Sequence, residues 1–375
     1  MSKRSRAAEY TRRIEAAAAA AHAAGIDAIL VQPGSDLTYL CGYEALPLER
    51  LTCLVIPARG APAIVVPELE VLAAAASPVG QMGLDVLAWP ETKSPHKVLA
   101  KRLGNVGKVG KVAVNQQMWA SHVFALQAQL PLVRFSADTI VPQLRMRKSE
   151  AEAKALMDAG KAIDRVHMKV AKLLRPGRTE REVGGDIADL ILAEGHRSVD
   201  FVIVASGPNS ASPHHELSDR VIEVGDPVVV DIGGTMPSGY CSDCTRTYAV
   251  GRPPADYTDA YQVLREAQAA AVKSVRPGVT CEAVDAAARR VLTDAGLGQA
   301  FVHRTGHGIG LSTHEEPYIV AGNTTKLEPG FAFSIEPGFY LAGRFGARIE
   351  DIVIATADGV VSCNNETHDL VVVDV

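Results

Sequence analysis

The chain has 375 residues, 47% hydrophobic and 22% charged, an ordinary globular balance with enough length for two domains with their own cores. A net charge of −5 leaves no polycationic face for a phosphate backbone, which excludes a nucleic-acid partner. Six cysteines (Cys41, Cys53, Cys241, Cys244, Cys281 and Cys363) are scattered through the chain and suit reduced thiols in a cytoplasm, not a disulfide framework.

The opening MSKRSRAAEYTRRIEAAAAAAHAAG is basic and contains an alanine run. Glu9 and Glu15 interrupt it and the run leads into a strand-like segment, so a helix over residues 11–24 is expected and not a signal peptide. No apolar run approaches the roughly 20 residues needed to cross a bilayer. A soluble, cytoplasmic protein with no membrane partner is the expectation. The segment AILV at 28–31 reads as a strand. Two apolar runs, 51–57 and 61–66, flank Ala58-Arg-Gly60 as the arms of a hairpin would. A helix at 71–76 follows, then extended pieces at 84–88 and 111–114, each with a helical stretch behind it. This pattern predicts an α/β domain with a mixed sheet over residues 1–144. It holds no phosphate-binding glycine loop and no cluster of candidate catalytic residues, which leaves a structural, interfacial or substrate-gating role.

The basic run LRMRK at 144–148 marks a boundary, and residues 145–375 form the second domain. Ser149 and Glu152 make a capping box ahead of Leu156, Ile163, Val166 and Val170 at helical spacing. An internal repeat follows. Arg175-Pro-Gly-Arg-Thr179 caps one helix and Arg276-Pro-Gly-Val-Thr280 another. Gly225 stands six positions before Asp231, and Gly330 six before Glu336.

The run VVVDIGGTMPSGYCSDCTRT at 228–247 has the form of a β-hairpin, with Gly233, Gly234, Pro237 and Gly239 marking the reversal. Asp231 and Asp243 lie 12 positions apart about Pro237, so they are expected opposite each other and on one face. In the second repeat Glu336 lies on FAFSIEPG, and Pro337, Gly338, Gly343 and Gly346 supply the turn. Glu350 returns on RIEDIVI, 14 positions further on. Two such hairpins facing each other across a pseudo-twofold axis would converge four carboxylates. Their buried charge is about −4, of which Arg348 can offset one unit; two divalent cations would balance the sum. His307, in TGHGIG, has small neighbours that leave room for close approach and adds a fifth ligand. Such a set favours a hard ion, with Mn the expected metal and Co or Zn the alternatives. Cys241 and Cys244 form a C-x-x-C without a second pair to complete a zinc site, and are read as packing residues.

On VVVDIGG, SDCTRT, TGHGIGL, SIEPG and RIEDIV, the second half resembles the metallopeptidases of the pita-bread fold: methionine aminopeptidases, aminopeptidase P and prolidase. The first half looks like the N-terminal domain of the prolidase and aminopeptidase P branch, particularly at SDLTYLCGY. Creatinase shares the architecture but lacks the metal ligands. The resemblance implies an α+β chain, a smaller α/β creatinase-type domain preceding a pita-bread catalytic domain. It also implies that Asp243 and Glu350 bridge two metals, that Asp231 completes one site, and that His307 and Glu336 complete the other. A water bridging two cations becomes a nucleophile at neutral pH, and Glu336 is the implied general base. His214, in Pro213-His-His215, matches a family histidine that binds substrate or stabilises the oxyanion. His314, in STHEEP, matches one that contacts substrate near the scissile bond, and His303 and Arg348 look like substrate-pocket groups. The implied reaction is hydrolysis of the Xaa-Pro bond in a small peptide, foremost a dipeptide. Xaa-Pro aminopeptidase action on longer peptides is the alternative, and a non-catalytic peptide-binding protein a remoter one. One departure weighs on that choice: some dipeptide-cleaving relatives carry a basic residue after HExP, and this chain has Tyr318. Relatives are commonly homodimers, so a homodimer is expected.

Overall fold

In the computed structural model, which describes residues 3–104 and 110–375, short apolar runs of the first half become strands of one sheet. These are β1 (Ala28–Val31), β2 (Cys53–Pro57), β3 (Ala63–Pro67), β4 (Asp85–Trp89), β5 (Lys111–Val114) and β6 (Arg134–Ala137), in the order β4-β3-β2-β1-β5-β6. β1 runs antiparallel to β2 and parallel to β5, so the sheet is mixed as expected. Leu30, Val55, Val65, Leu99, Val112 and Leu126 form much of its core, each worth about 1.5–3 kcal/mol for full burial. The chain divides into two units, Met1–Arg145 and Met146–Val375. Among the described residues no helix is long and apolar enough to cross a membrane.

The second unit is built twice from one plan. Its strands are β7 (Ser198–Ser206), β8 (Pro227–Thr235), β9 (Cys241–Val250), β10 (Gly306–Gly308), β11 (Glu315–Ile319), β12 (Ala332–Ile335), β13 (Gly338–Leu341), β14 (Phe345–Arg348), β15 (Asp351–Thr356), β16 (Gly359–Ser362) and β17 (Val371–Val373). One sheet has the order β17-β9-β8-β7, the other β11-β10-β12-β15-β16, with β13-β14 as a separate ribbon. The Ser149–Glu152 capping box opens the helix Glu150–Leu173, and a second box at Thr179 and Glu182 opens Glu180–Ala193. These helices pack Ile163, Val166, Val170, Val183 and Ile187 on Val228, Val230 and Ile232 of β8. On the other sheet, helices Ala255–Ser274 and Cys281–Asp294 pack Ala267, Ala271, Val284 and Leu292 on Phe333, Ile335 and Val353.

The backbone repeats the plan too. Gly177 N–H donates to Ile222 O as Gly278 N–H does to Leu327 O, and Gly225 N–H donates to Val250 O as Gly330 N–H does to Ala355 O. Gly225 (φ 96°) and Gly330 (φ 92°) sit in the left-handed region that favours glycine.

Strand parity decides which side chains reach the site. On β8 the even positions 228, 230 and 232 face the helices, so Asp231 faces away from them, and on β12 Phe333 and Ile335 leave Glu336 on the opposite face. The expected register of the first hairpin is corrected by the structure. Asp231 pairs with Thr245 and Asp243 with Gly233, so the two acids are diagonal neighbours, not partners. The cause is the turn, which centres on Ser238: Met236 N–H donates to Tyr240 O, and Gly239 takes φ 88°. Gly233 and Gly234 are strand residues and not part of the reversal. A Cβ on Gly233 would meet the Phe201 ring at 2.4 Å, and one on Gly234 would meet Ser198 O at 2.6 Å. In the second hairpin Gly338 and Gly346 are likewise within strands, and Gly343 (φ 73°) makes the turn. Ile335 faces Asp351 and Gly338 faces Arg348, which sets Glu336 opposite Glu350 where Pro337 interrupts the ladder.

Candidate metal centre

Two hairpins and one glycine-flanked strand bring the five proposed ligands together. Single donor atoms of Asp231, Asp243 and Glu350 lie within 4.8 Å of one another, as do those of His307, Glu336 and Glu350, and those of Asp243, His307 and His314. Glu350 is common to the first two groups, and Asp243 to the first and third. His307 Nε2 stands 3.3 Å from Glu336 Oε1, 3.5 Å from Asp243 Oδ2 and 4.0 Å from Glu350 Oε1. Its Nδ1–H donates to Gly308 O at 3.1 Å, which turns the Nε2 lone pair toward the carboxylates. The flanking glycines let β10 approach its neighbours: a Cβ on Gly306 would lie 1.9 Å from Ser334 O, and one on Gly308 2.2 Å from Glu316 O.

Two of the carboxylates, Asp231 and Glu350, are anchored at one oxygen and bare at the other. Asp231 Oδ2 accepts from Arg348 at 2.5 Å and Glu350 Oε2 accepts from Thr245 Oγ1 at 2.8 Å. Asp231 Oδ1 and Glu350 Oε1 are buried with no hydrogen-bond partner among the described residues. Burial raises the carboxyls of Asp243 and Glu350 well above their ordinary range, and mutual repulsion with the other site acids adds to it. Burial also lifts Glu336 to about 7, with Arg348 opposing and Asp231 adding to the rise. His307 is lowered to about 3 by burial and, second, by His314, so its imidazole is neutral and able to ligate. Clustered acids of raised pKa, with two bare buried oxygens among them and a neutral imidazole, fit divalent cations.

All nine residues singled out in the sequence line one cavity of about 660 Å³: His214, Asp231, Asp243, His303, His307, His314, Glu336, Arg348 and Glu350. His214 and His314 are exposed on its wall, and the His314 ring lies 4.0 Å from that of His307. Arg348 is engaged internally: besides Asp231 it donates to Tyr340 Oη at 2.7 Å, Thr245 Oγ1 at 3.1 Å and Pro213 O at 3.2 Å. Tyr340 Oη in turn donates to His303 Nε2 at 2.9 Å, because His303 Nδ1–H is given to Arg304 O. Burial first, and Arg348 second, bring His303 down to about 4.

Sequence reasoning missed Tyr340, Arg304 and Glu180. Glu180 is fully buried and accepts from Ser206 N–H and Oγ (both 2.7 Å), Ser218 Oγ (2.5 Å), His215 Nε2 (2.7 Å) and Asn209. It thereby ties down both ends of the 206–218 loop that carries His214. Burial raises its carboxyl, but those donors outweigh burial and leave it below its usual range. Beside the capping acid Glu182, nothing in the local sequence distinguishes it.

Residues 154–357 match the profile described as Metallopeptidase family M24, and residues 13–147 the one described as Creatinase/Prolidase N-terminal domain. The chain belongs to metallopeptidase family M24. This M24 protein is 54% identical to the "Probable dipeptidase PepE" of Mycobacterium tuberculosis over 374 residues, 100% of this chain and 99% of that protein. It is 35% identical to the "Xaa-Pro dipeptidase" of Lactobacillus helveticus, over 90% of this chain and 93% of that one. The crystal structure of dipeptidase PepE from Mycobacterium ulcerans superposes with a TM-score of 0.95 at 53% identity, covering 98% and 99% of the two chains. The fold is therefore the creatinase-type N-terminal domain followed by the M24 pita-bread domain, and divalent metal ions are the family's cofactors.

Proposed function

We propose that the protein hydrolyses the Xaa-Pro bond of dipeptides. The donor groups that share Glu350 and Asp243, with Asp231 Oδ1 and Glu350 Oε1 left bare among them, carry the metal part of this reading. The relatives named dipeptidase and Xaa-Pro dipeptidase support the substrate part. Asp231, Asp243, His307, Glu336 and Glu350 would hold two divalent ions, Asp243 and Glu350 shared between them. Bound there, the ions would lower the pKa of a water and polarise the scissile carbonyl. A mostly carboxylate donor set with one imidazole selects Mn²⁺. Glu336 accepts the proton of the attacking water and hands it to the departing proline nitrogen. His214 and His314 hold the substrate and donate to the charge that develops on its carbonyl oxygen. Arg348 fixes Asp231 and, through Tyr340, the His303 ring, while Glu180 fixes the His214 loop. The six free, buried thiols favour a reducing compartment, the cytoplasm.

The test is a substrate panel of Gly-Pro, Ala-Pro and Ala-Pro-Gly with Mn²⁺ present. Turnover of both dipeptides, with the tripeptide at least about tenfold slower in kcat/KM, is the expected result. A preference for the tripeptide would make the protein an Xaa-Pro aminopeptidase. No turnover of any of the three would remove the reading.

A further inference from the structure

The acids on the cavity wall do not all serve the metal centre. Beside Asp231, Asp243, Glu336 and Glu350 the cavity is lined by a fifth carboxylate, Asp200. Its side chain is exposed and pairs with no Lys, Arg or His among the described residues. Its oxygens accept instead from two hydroxyls, Oδ1 from Ser198 Oγ at 3.1 Å and Oδ2 from Thr235 Oγ1 at 2.7 Å. These donors orient the carboxylate and leave its charge uncompensated. Of the two guanidinium groups on the wall, Arg348 is held by Asp231, and Arg304 lies 4.3 Å over the Tyr318 ring.

A β-bulge places Asp200 at the cavity. In the β7–β8 ladder Val199 faces Gly234 and Phe201 faces Gly233, so Asp200 is an extra residue with no partner position. The bulge reverses the parity of the strand. Val199 packs with Val202 and Val204 in the core under the helices, whereas Phe201 and Ile203 line the cavity. Without the extra residue Val199 and Phe201 would share a face. Bulges beside active sites re-aim a side chain in this way.

β7 is the edge strand of its sheet, and its cavity face continues the ligand face outward. Ile203 faces Asp231, while Phe201 faces Gly233, which in turn faces Asp243. From the proposed ligands to the open edge the wall therefore runs from carboxylates to an apolar step, and then to a lone carboxylate.

We propose that Asp200 takes the cationic side chain of a lysine or arginine standing before the proline, so that the site favours basic Xaa-Pro dipeptides. This rests on the Xaa-Pro reading. There Glu336, on the second hairpin, hands its proton to the proline nitrogen, which sets the preceding residue toward the opposite sheet, the one that ends at β7. A long aliphatic stem lies along Phe201 and Ile203 while its charged head reaches Asp200. A short side chain stops on the apolar step, and an acidic one meets like charge. The substrate's amino group, one carbon from the scissile carbonyl, stays beside the metal ligands and short of the sheet edge. An ion pair at an open cavity mouth is weak and salt-sensitive, which keeps the preference modest.

The experiment is steady-state kinetics of wild type, Asp200→Asn and Asp200→Lys on Arg-Pro, Lys-Pro, Met-Pro and Glu-Pro, with metal content measured on each preparation. Wild type should favour Arg-Pro and Lys-Pro over Met-Pro by about fivefold in kcat/KM at about 0.01 M salt, mainly through KM. At about 1 M salt the preference should shrink below about twofold. Asp200→Asn keeps an acceptor for the hydroxyls and should erase the preference, with Met-Pro within about twofold of wild type and metal content unchanged. Asp200→Lys should favour Glu-Pro. A wild type indifferent to the charge before proline, or a basic preference that survives Asp200→Asn, would overturn the proposal. Equal losses on all four dipeptides would also overturn it, since Asp200 would then hold the amino group or the shape of β7. Wild-type inactivity on all four is a separate outcome that removes the underlying Xaa-Pro reading and this proposal together.

Discussion

Glu336→Gln lowers kcat on an Xaa-Pro dipeptide by an expected 10²-fold or more. Glutamine keeps the shape and one oxygen donor but cannot take a proton at neutral pH. Glu336 lies opposite Glu350 in the second hairpin, its Oε1 3.3 Å from His307 Nε2, with Ser334 Oγ donating to the same oxygen at 3.1 Å. Its carboxyl is lifted by burial to about 7 in the metal-free protein, near working pH. His214→Ala provides the contrast. His214 lies outside all three donor groups, so its loss should leave metal content intact and lower kcat/KM by about tenfold or more. Metal stoichiometry and steady-state kinetics on Ala-Pro separate the two defects. A kinetically silent His214→Ala would return the PHH segment to a loop with structural histidines. A Glu336→Gln variant of wild-type kcat would take the base away from Glu336.

Asp243→Ala should lose most bound metal and nearly all turnover, because Asp243 belongs to two of the three donor groups. The metal-free protein should not suffer correspondingly. Asp243 is buried and repelled by Glu350, Asp231 and Glu336, so removing it relieves like-charge strain. The expected pattern is a metal-free Tm equal to or above wild type, with little rise when Mn²⁺ is added. Cys241→Ala and Cys244→Ser are the controls. Three positions apart on β9, the two thiols point to opposite faces: Cys241 packs beside Tyr240 and Ile309, Cys244 beside Val230 and Tyr248. They cannot converge on one ion, and both variants should keep their metal. Metal loss in either would show that the C-x-x-C had been misjudged.

The features legible in the sequence were those set by local chemistry. The capping box at Ser149, the helix cap ending at Thr179, paired glycines ahead of Asp231 and Glu336, and acids inside valine or phenylalanine runs each name an element and a face. Strand parity turns the acids of the two hairpins away from the helices, and all nine singled-out residues line one cavity. What stayed hidden depends on partners far along the chain. The first hairpin's register was set by a turn centred on Ser238, which spacing about Pro237 could not anticipate. The repeat also aligns differently from a one-carboxylate-per-strand plan. Gly225 corresponds to Gly330 and Val250 to Ala355, which makes Thr245 the counterpart of Glu350 and Arg348 that of Asp243. Thr245 accordingly donates to Glu350 across the pseudo-axis, and Arg348 occupies an acid's place and holds Asp231. Glu180 and Arg304 were unreadable for the same reason, one defined by the loop it anchors and the other by the ring beneath it.

Metal content measured together with activity tests the central claim most directly. The protein is dialysed against chelator, analysed for metals, titrated with Mn²⁺ and assayed on Ala-Pro at each step. The expected result is no hydrolysis without metal, full recovery on add-back, and two Mn²⁺ per chain at saturation. Uptake should release protons and weaken as pH falls from about 8 to 5. The sign follows from Asp243, Glu350 and Glu336, whose raised pKa values mean the metal-free site holds protons that the cations must displace. Full hydrolysis by protein shown to be metal-free would contradict the assignment of Asp231, Asp243, His307, Glu336 and Glu350 to a catalytic metal centre.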